Sequence, residues 1–204
     1  MEEINYKGYE IKIEQDDNTE SPREWDNMGT MVCFHRRYNL GDKHDFSDPD
    51  ELREFLKENK SIALPLFLYD HGGITMSTGR FSCPWDSGQV GWIYVTEADA
   101  RKEYGWKKLT KERREKIEKH LEAEVSTFDD YITGNVYGYR VVKDGEETDS
   151  CWGYIGAPDK SGLIEDAKSV IDCNIKFKIK DHLKTLKKWI ISKTPIIYRT
   201  SFEL

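Results

Sequence analysis

Residues 63–95 read ALPLFLYDHGGITMSTGRFSCPWDSGQVGWIYV, and the punctuation of this stretch decides the fold class. Ala63 to Tyr69 is a short apolar run, separated from Ile74 to Ser77 by Gly72 and Gly73. Two adjacent glycines accept positive φ without a Cβ clash, which is a hairpin signal. Gln89 to Val95 is a third run of strand character, so the stretch predicts a three-stranded meander. Its second connection, FSCPWDSG from Phe81 to Gly88, resembles a reactive site when taken alone. Placed between two strands it reads as a loop in which Pro84 limits φ and Asp86 to Gly88 make the turn. Trp92, in the strand that follows, is expected to be buried.

Working outward, Tyr9 to Ile13 alternates with period two, and Met31 to Tyr38 (MVCFHRRY) predicts another strand with Met31, Cys33 and His35 on one face. Ser47 begins a short helix to about Lys60, with Asp48, Pro49, Asp50 and Glu51 in its first turn. Thr96 and Asp99 form a capping-box pattern for another short helix. A long helix starts near Thr110, because Ile117, Leu121, Val125, Phe128 and Ile132 recur at helical spacing until Gly134 stops it. Val136 to Val142 and Ser150 to Ile155 predict a second hairpin, and Gly162 to Val170 a short helix. Beyond Cys173, Ile175 to Ile179 alternates while Leu183, Leu186 and Ile190 keep helical spacing. The expected class is α+β: a mainly antiparallel sheet of five or more strands with the long helix packed on one face. Residues 1–173 are expected to form one domain, and 174–204 a basic segment docked on it.

A chain of 204 residues supports one sizeable core. Its 34% charged residues do not indicate disorder, because 37% are hydrophobic and 12% aromatic. No run approaches the roughly 18 apolar residues that span a bilayer, and MEEINYKGYE has no leader pattern, so a cytoplasmic, non-membrane protein is expected. Cys33, Cys83, Cys151 and Cys173 contain no Cys-x-x-Cys pair, so the thiols are expected to be reduced, without a disulfide framework or zinc ribbon. No sequence feature asks for a cofactor.

The net charge of -7 is unevenly distributed. From Asn174 onward eight basic residues, Lys176, Lys178, Lys180, Lys184, Lys187, Lys188, Lys193 and Arg199, face only Asp181 and Glu203. That local balance of +6 leaves -13 on the rest of the chain, a field that repels nucleic acid and attracts basic partners. The candidate binding residues are therefore Asp16, Asp17, Glu20, Glu24, Asp26, Asp42 and Asp45, joined by Arg36 at the predicted strand Met31 to Tyr38 and Trp85 in the connection Phe81 to Gly88. Direct nucleic-acid binding is expected only through the tail, where Phe177, Trp189 and Tyr198 interleave with the lysines.

Chemistry has two further candidates. Cys83 with His71 and Asp86 supplies the types of a nucleophile, base and carboxylate, and Cys151 with His35 is a second thiol and imidazole. Cys33 and His35 are the one close pair of zinc-ligand type. Gly72, Gly73 and Gly79 do not make a phosphate-binding loop, and alternation sends Arg36 and Arg37 to opposite faces.

SPREWDN (Ser21 to Asn27), MVCFHRRYNLGDKH (Met31 to His44), LPLFLYDHGGITMST (Leu64 to Thr78), FSCPWDSGQVGWIYV (Phe81 to Val95), TGNVYGYRV (Thr133 to Val141) and DSCWGY (Asp149 to Tyr154) resemble a family of small, mostly uncharacterised proteins of bacteriophages and mobile elements. The likeness covers about residues 6 to 170 and excludes the basic tail. It implies a phage or plasmid setting, where small acidic proteins often inhibit host nucleases or defence complexes, and it carries no catalytic assignment. The expected function is a non-enzymatic, anti-defence binding protein, for example anti-CRISPR or antirestriction, whose acidic loops engage a host protein with a basic nucleic-acid-binding surface. The alternative is an enzyme, or a small-ligand or metal-binding protein, with a Cys/His/Asp site at the sheet connections.

Overall fold

A computed structural model describes residues 2–195. The elements are β1 (Glu2–Tyr6), β2 (Tyr9–Gln15), β3 (Thr30–Cys33), α1 (Pro49–Glu58), β4 (Ile62–Asp70), β5 (Ile74–Ser77), β6 (Ser87–Val95), α2 (Glu97–Glu103), α3 (Lys111–Ile132), β7 (Val136–Lys143), β8 (Glu146–Ile155) and α4 (Leu163–Lys193). The class is α+β, but the strands form two four-stranded sheets, ordered β1-β2-β7-β8 and β3-β6-β4-β5, rather than one of five or more. The chain divides into two compact units. One comprises residues up to Glu14, Gly138–Tyr154 and those from Pro158 on; the other comprises Gln15–Tyr137 and Ile155–Ala157.

In the second unit β4 pairs antiparallel with both β5 and β6, so residues 63–95 are not a simple meander. β5 has only four residues, and the chain after it returns along β4, placing Arg80 over Phe67 and Phe81 beside Tyr69, before β6 starts opposite Tyr69. Pro65 is tolerated inside β4 because β5 pairs only from Phe67 to Asp70, leaving β4 with one neighbour at Pro65. Alternation sends Met31, Leu66, Leu68, Ile93 and Val95 to one face, where Ile117, Leu121, Val125 and Phe128 of α3 cover them. Val32 and Tyr94 point the other way onto Leu52 and Phe55 of α1, with Trp92 partly buried beside them. Gly91 is required where β3 meets β6: a Cβ there would lie 1.8 Å from the Val32 carbonyl oxygen.

The expected cap of α1 shifts by one residue. Asp48, not Ser47, accepts from the Asp50 and Glu51 amides, with Pro49 in the first turn. Thr96 caps α2 through the Asp99 amide, as the capping-box pattern predicts. β3 ends at Cys33, two residues short of His35, so the expected strand does not carry Cys33 and His35 on one face. His35 lies in the following loop, where its Nδ1 accepts from the Arg37 and Tyr38 amides.

The first unit begins with a hairpin absent from the sequence reading, β1 to β2, closed by Lys7 and Gly8 at φ 50° and 77°. Asp144 and Gly145, at φ 53° and 84°, close the β7 to β8 hairpin in the same two-residue geometry. Tyr9, Ile11, Ile13, Tyr139 and Val141 are buried, as are Leu163, Ala167 and Ile171 in the first half of α4. Tyr139 and Tyr154 both donate to Oδ2 of Asp166, and Lys7 pairs with Asp172 at 2.6 Å, tying α4 to the strands.

α4 runs unbroken through Cys173, replacing the expected short helix, composition break and alternating stretch. From Lys176 to Ile190 every residue is exposed, with Lys178 donating to the Tyr9 hydroxyl at 3.4 Å. Tyr198, Arg199 and Glu203 lie outside the described residues. No described helix is long and apolar enough to cross a membrane.

Candidate functional site

The acidic loop between β2 and β3 is built around one buried cation. Ser21 Oγ accepts from the Arg23 amide to start a single 3-10 turn, Pro22–Glu24. This turn aims the Arg23 side chain inward, where it is only 5% exposed. Its Nε and Nη2 donate to the two Asp42 carboxylate oxygens at 2.9 and 2.7 Å, a bidentate fork. Nη1 donates to Glu124 of α3 at 3.0 Å, and Nη2 also reaches the Gly29 carbonyl at 2.6 Å. Glu124 in turn accepts from the Met28 and Gly29 amides, and Asp42 from the Met31 amide. Burial works against the guanidinium charge, but the hydrogen bonds and charges of Asp42 and Glu124 outweigh it and hold the group more firmly protonated than an ordinary arginine. Gly29 makes the exit from the loop possible, since a Cβ there would meet Leu121 at 2.5 Å.

The clamp fixes what the loop shows to solvent. Asn27 Nδ2 bonds the Pro22 and Trp25 carbonyls, and Asp16 accepts from the Asn18 amide and the Thr19 hydroxyl. Asp17, Glu20, Glu24 and Asp26 are exposed in this loop, as is Trp25, at 51%. A cleft of about 220 Å³ lies at the loop's end between Asp26, Asn27, Met28, Glu103, Tyr104 and His120. Asp42 and Asp45 part company: Asp45 is exposed, while Asp42 is committed to Arg23. Arg36 is exposed, and Trp85, at 91%, is the most exposed of the large hydrophobic side chains described.

A second cluster forms where the β4 to β5 hairpin meets the start of β6. The Asp70 amide bonds the Asp86 carbonyl, and Asp86 Oδ2 faces both His71 Nδ1 at 3.1 Å and Cys83 Sγ at 3.6 Å. The three sequence-nominated residues are therefore neighbours, but with the carboxylate as the thiol's hydrogen-bond acceptor. A cysteine nucleophile needs its base in that position. Arg37 and Tyr38 donate to Asp70 beside them. At the Cys33 and His35 pair, burial, with Asp42 nearby, pushes the thiol up to about 12, which opposes the thiolate that zinc needs. His35 instead stacks on Tyr38 with centroids 5.0 Å apart. Cys151 is half-buried in β8, next to Trp152, whose ring lies where a Cβ on Gly138 would be. Among the described residues no three His, Cys, Asp or Glu side chains are grouped to hold a metal ion.

No family model, curated protein or solved structure matches this chain. The functional reading therefore stands on geometry. A loop with four exposed acids and an exposed tryptophan, held by a buried ion-pair network, is suited to contact with a basic surface. Sequence reasoning named the acids but missed Arg23, Glu124 and Trp25. The available signal was the SPREWDN wording, in which Ser21 and Pro22 start a turn and the following arginine stands among acids.

Proposed function

We propose that this protein is a non-enzymatic binding protein that inhibits a bacterial defence or nucleic-acid-processing system in the host cytoplasm. It presents the loop from Asp16 to Asn27 to a basic, nucleic-acid-binding surface of a host protein. The observation that carries this reading is the buried Arg23 clamp, which orders the loop while Trp25 remains exposed between Glu24 and Asp26. An aromatic anchor surrounded by charge complementary to its target is the pattern of an interface hot spot. Ordering before contact removes part of the entropic cost of binding. The phage or mobile-element setting rests on the resemblance of the motifs.

The test is affinity enrichment from bacterial lysate with the wild type, Trp25→Ala and Glu24→Lys/Asp26→Lys. A partner that is lost with both variants, and that weakens at raised salt, supports the reading. A partner retained equally by all three proteins refutes it. A second reading, a small-ligand or catalytic site, draws on the convergence of Cys83 and His71 on Asp86. Its test is turnover or ligand binding that disappears with Asp86→Ala while the Trp25→Ala protein keeps it.

A further inference from the structure

The cleft at the end of the acidic loop has a chemistry of its own. Of its lining residues, Asp26, Glu103 and His120 are exposed, while Asn27, Met28 and Tyr104 are half-buried. Trp106 backs the Tyr104 ring, with centroids 4.3 Å apart and planes 11° from parallel. At about 220 Å³ the space is smaller than the roughly 300–1,000 Å³ of small-molecule and cofactor sites, and is of a size for one inserted side chain.

The network that orders the loop also consumes the hydrogen-bond donors of this lining. The Asn27 backbone amide bonds the Trp25 carbonyl at 3.0 Å, and its Nδ2 spends both protons on the Pro22 and Trp25 carbonyls at 2.8 and 2.9 Å. The Met28 amide goes to Glu124 Oε1 at 2.9 Å, and His120 Nε2 faces the same oxygen at 3.3 Å. These residues still offer Asn27 Oδ1, Nδ1 of a neutral His120 ring, and the Asp26 and Glu103 carboxylates. All of those are acceptors, and of the lining side chains only the Tyr104 hydroxyl can also donate.

Acceptors gathered beside a flat ring select a group that is itself flat and only donates. A guanidinium has five N–H donors, no acceptor, and a plane that packs against an aromatic ring. An ammonium brings the charge without the plane, and an apolar side chain would strip water from the acceptors and replace it with nothing. A metal ion finds too few ligands, since among the described residues no three His, Cys, Asp or Glu side chains are grouped to hold one. Lys116 Nζ lies 4.9 Å from the Tyr104 centroid and 5.8 Å from that of Trp106, which puts it at the side of the stacked pair rather than over the outer face of Tyr104. We propose that this cleft receives an arginine side chain of the partner, with Asp26 and Glu103 pairing its guanidinium and Tyr104 and Met28 packing its stem. The proposal rests on the loop's partner being basic and names the side chain that enters.

The probe is N-acetyl-arginine N-methylamide, titrated into the isotopically labelled full chain and followed by nuclear magnetic resonance at the Asn27 side-chain amide and the His120 ring. The lysine and citrulline analogues are the controls, citrulline keeping the planar shape without the charge. The expected result is a saturable shift of both signals with a dissociation constant of about 1–10 mM, at least about fivefold weaker with either control and in Asp26→Asn/Glu103→Gln. Both substituted side chains are exposed, and circular dichroism confirms that the variant folds. Equal affinity for the lysine or citrulline analogue overturns the proposal, as does equal affinity of the double variant. Shifts confined to other acidic residues, with Asn27 and His120 unmoved, also overturn it. Enrichment from bacterial lysate separates the cleft from the loop. A partner lost with Trp25→Ala but kept in full by Asp26→Asn/Glu103→Gln overturns the cleft and leaves the loop reading standing. Selective binding of the arginine analogue, with capture unchanged by Trp25→Ala, supports the cleft and refutes the loop reading.

Discussion

Replacing Arg23 by methionine keeps most of the side chain's volume and removes its charge. The change deletes four hydrogen bonds, two to Asp42 and one each to Glu124 and Gly29. It leaves Glu124, whose side chain is 9% exposed, and Asp42, at 21%, without their shared cation. Removing one partner of a buried pair costs about 3–5 kcal/mol, because the remaining charge stays desolvated. Here each carboxylate keeps at least one backbone amide donor, which places the cost near about 3 kcal/mol. For a chain of this length that lowers the melting temperature by about 10 °C. Guanidinium chloride unfolding measures the loss, and a cycle with Glu124→Gln and Arg23→Met/Glu124→Gln isolates the pair. The double variant is expected to recover part of it, since no uncompensated carboxylate then remains at Glu124. A glutamate-specific protease provides the local readout: Glu20 and Glu24 are exposed, yet the wild-type loop is expected to resist cleavage and the Arg23→Met loop to be cut at once. A stability loss below about 1 kcal/mol together with equal cleavage rates refutes the claim that Arg23 orders this loop.

Gly91→Ala is expected to cost about 3 kcal/mol in denaturant unfolding, because its Cβ meets the Val32 carbonyl, whereas Gly88→Ala, with nothing within 4 Å, stays within about 0.5 kcal/mol. A Gly91→Ala protein as stable as Gly88→Ala refutes the close approach of β3 to β6. Native alkylation followed by mass spectrometry is expected to label exposed Cys173 first and Cys33 only on unfolding, since burial holds the Cys33 thiol protonated up to about pH 12; comparable rates at the two sites overturn this. Burial first, then its bond to Asp166, raises the Tyr139 hydroxyl above its ordinary range. The folded group thus keeps its proton after the unfolded one, near pH 10, has lost it, and this contribution is complete below pH 10 and declines above it. Tyr154 and Tyr94 shift the same way and keep part of the decline, so Tyr139→Phe is expected to be shallower by one group's share, about 1.4 kcal/mol per pH unit, and identical slopes for the two proteins refute the assignment.

The elements legible in the sequence were those with one dominant period. Ile117, Leu121, Val125 and Phe128 announce α3, and all four are buried against the sheet. The stretch Ile175 to Ile179 was ambiguous for a geometrical reason: isoleucines four apart satisfy a helix, and the alternation within five residues equally satisfies a strand. β1 gave no signal because its sequence, EEINY, forms a largely exposed edge without an apolar face. The order of β4, β5 and β6 depends on which edge of β4 the chain returns to, and local pattern carries no such information. At the site, Asp42 looked like any loop acid. Its partner Arg23 is 19 positions away and Glu124 a further 82 along the chain, so only the fold reveals their shared burial.

The acidic loop and the distal half of α4 are ordered by different means. A buried arginine with two carboxylates is a poor device for stability alone, since well-packed apolar residues often serve as well or better. What it adds here is directional: it holds the Gly29 carbonyl directly, and Glu124 holds the Met28 and Gly29 amides, so the backbone on both sides of Trp25 is set. The distal half of α4 reaches order by continuation, because the costly first turns of the helix are already formed and docked at Leu163, Ala167 and Ile171. At the loop, preorganisation reduces the cost of association. The clamp and the proposed contact are separable by substitution. Arg23→Met keeps Trp25 and the exposed acids, and is expected to weaken capture of a basic partner through lost ordering alone, whereas Trp25→Ala keeps the clamp and removes the anchor. Capture unchanged in both variants refutes the proposed role of the loop.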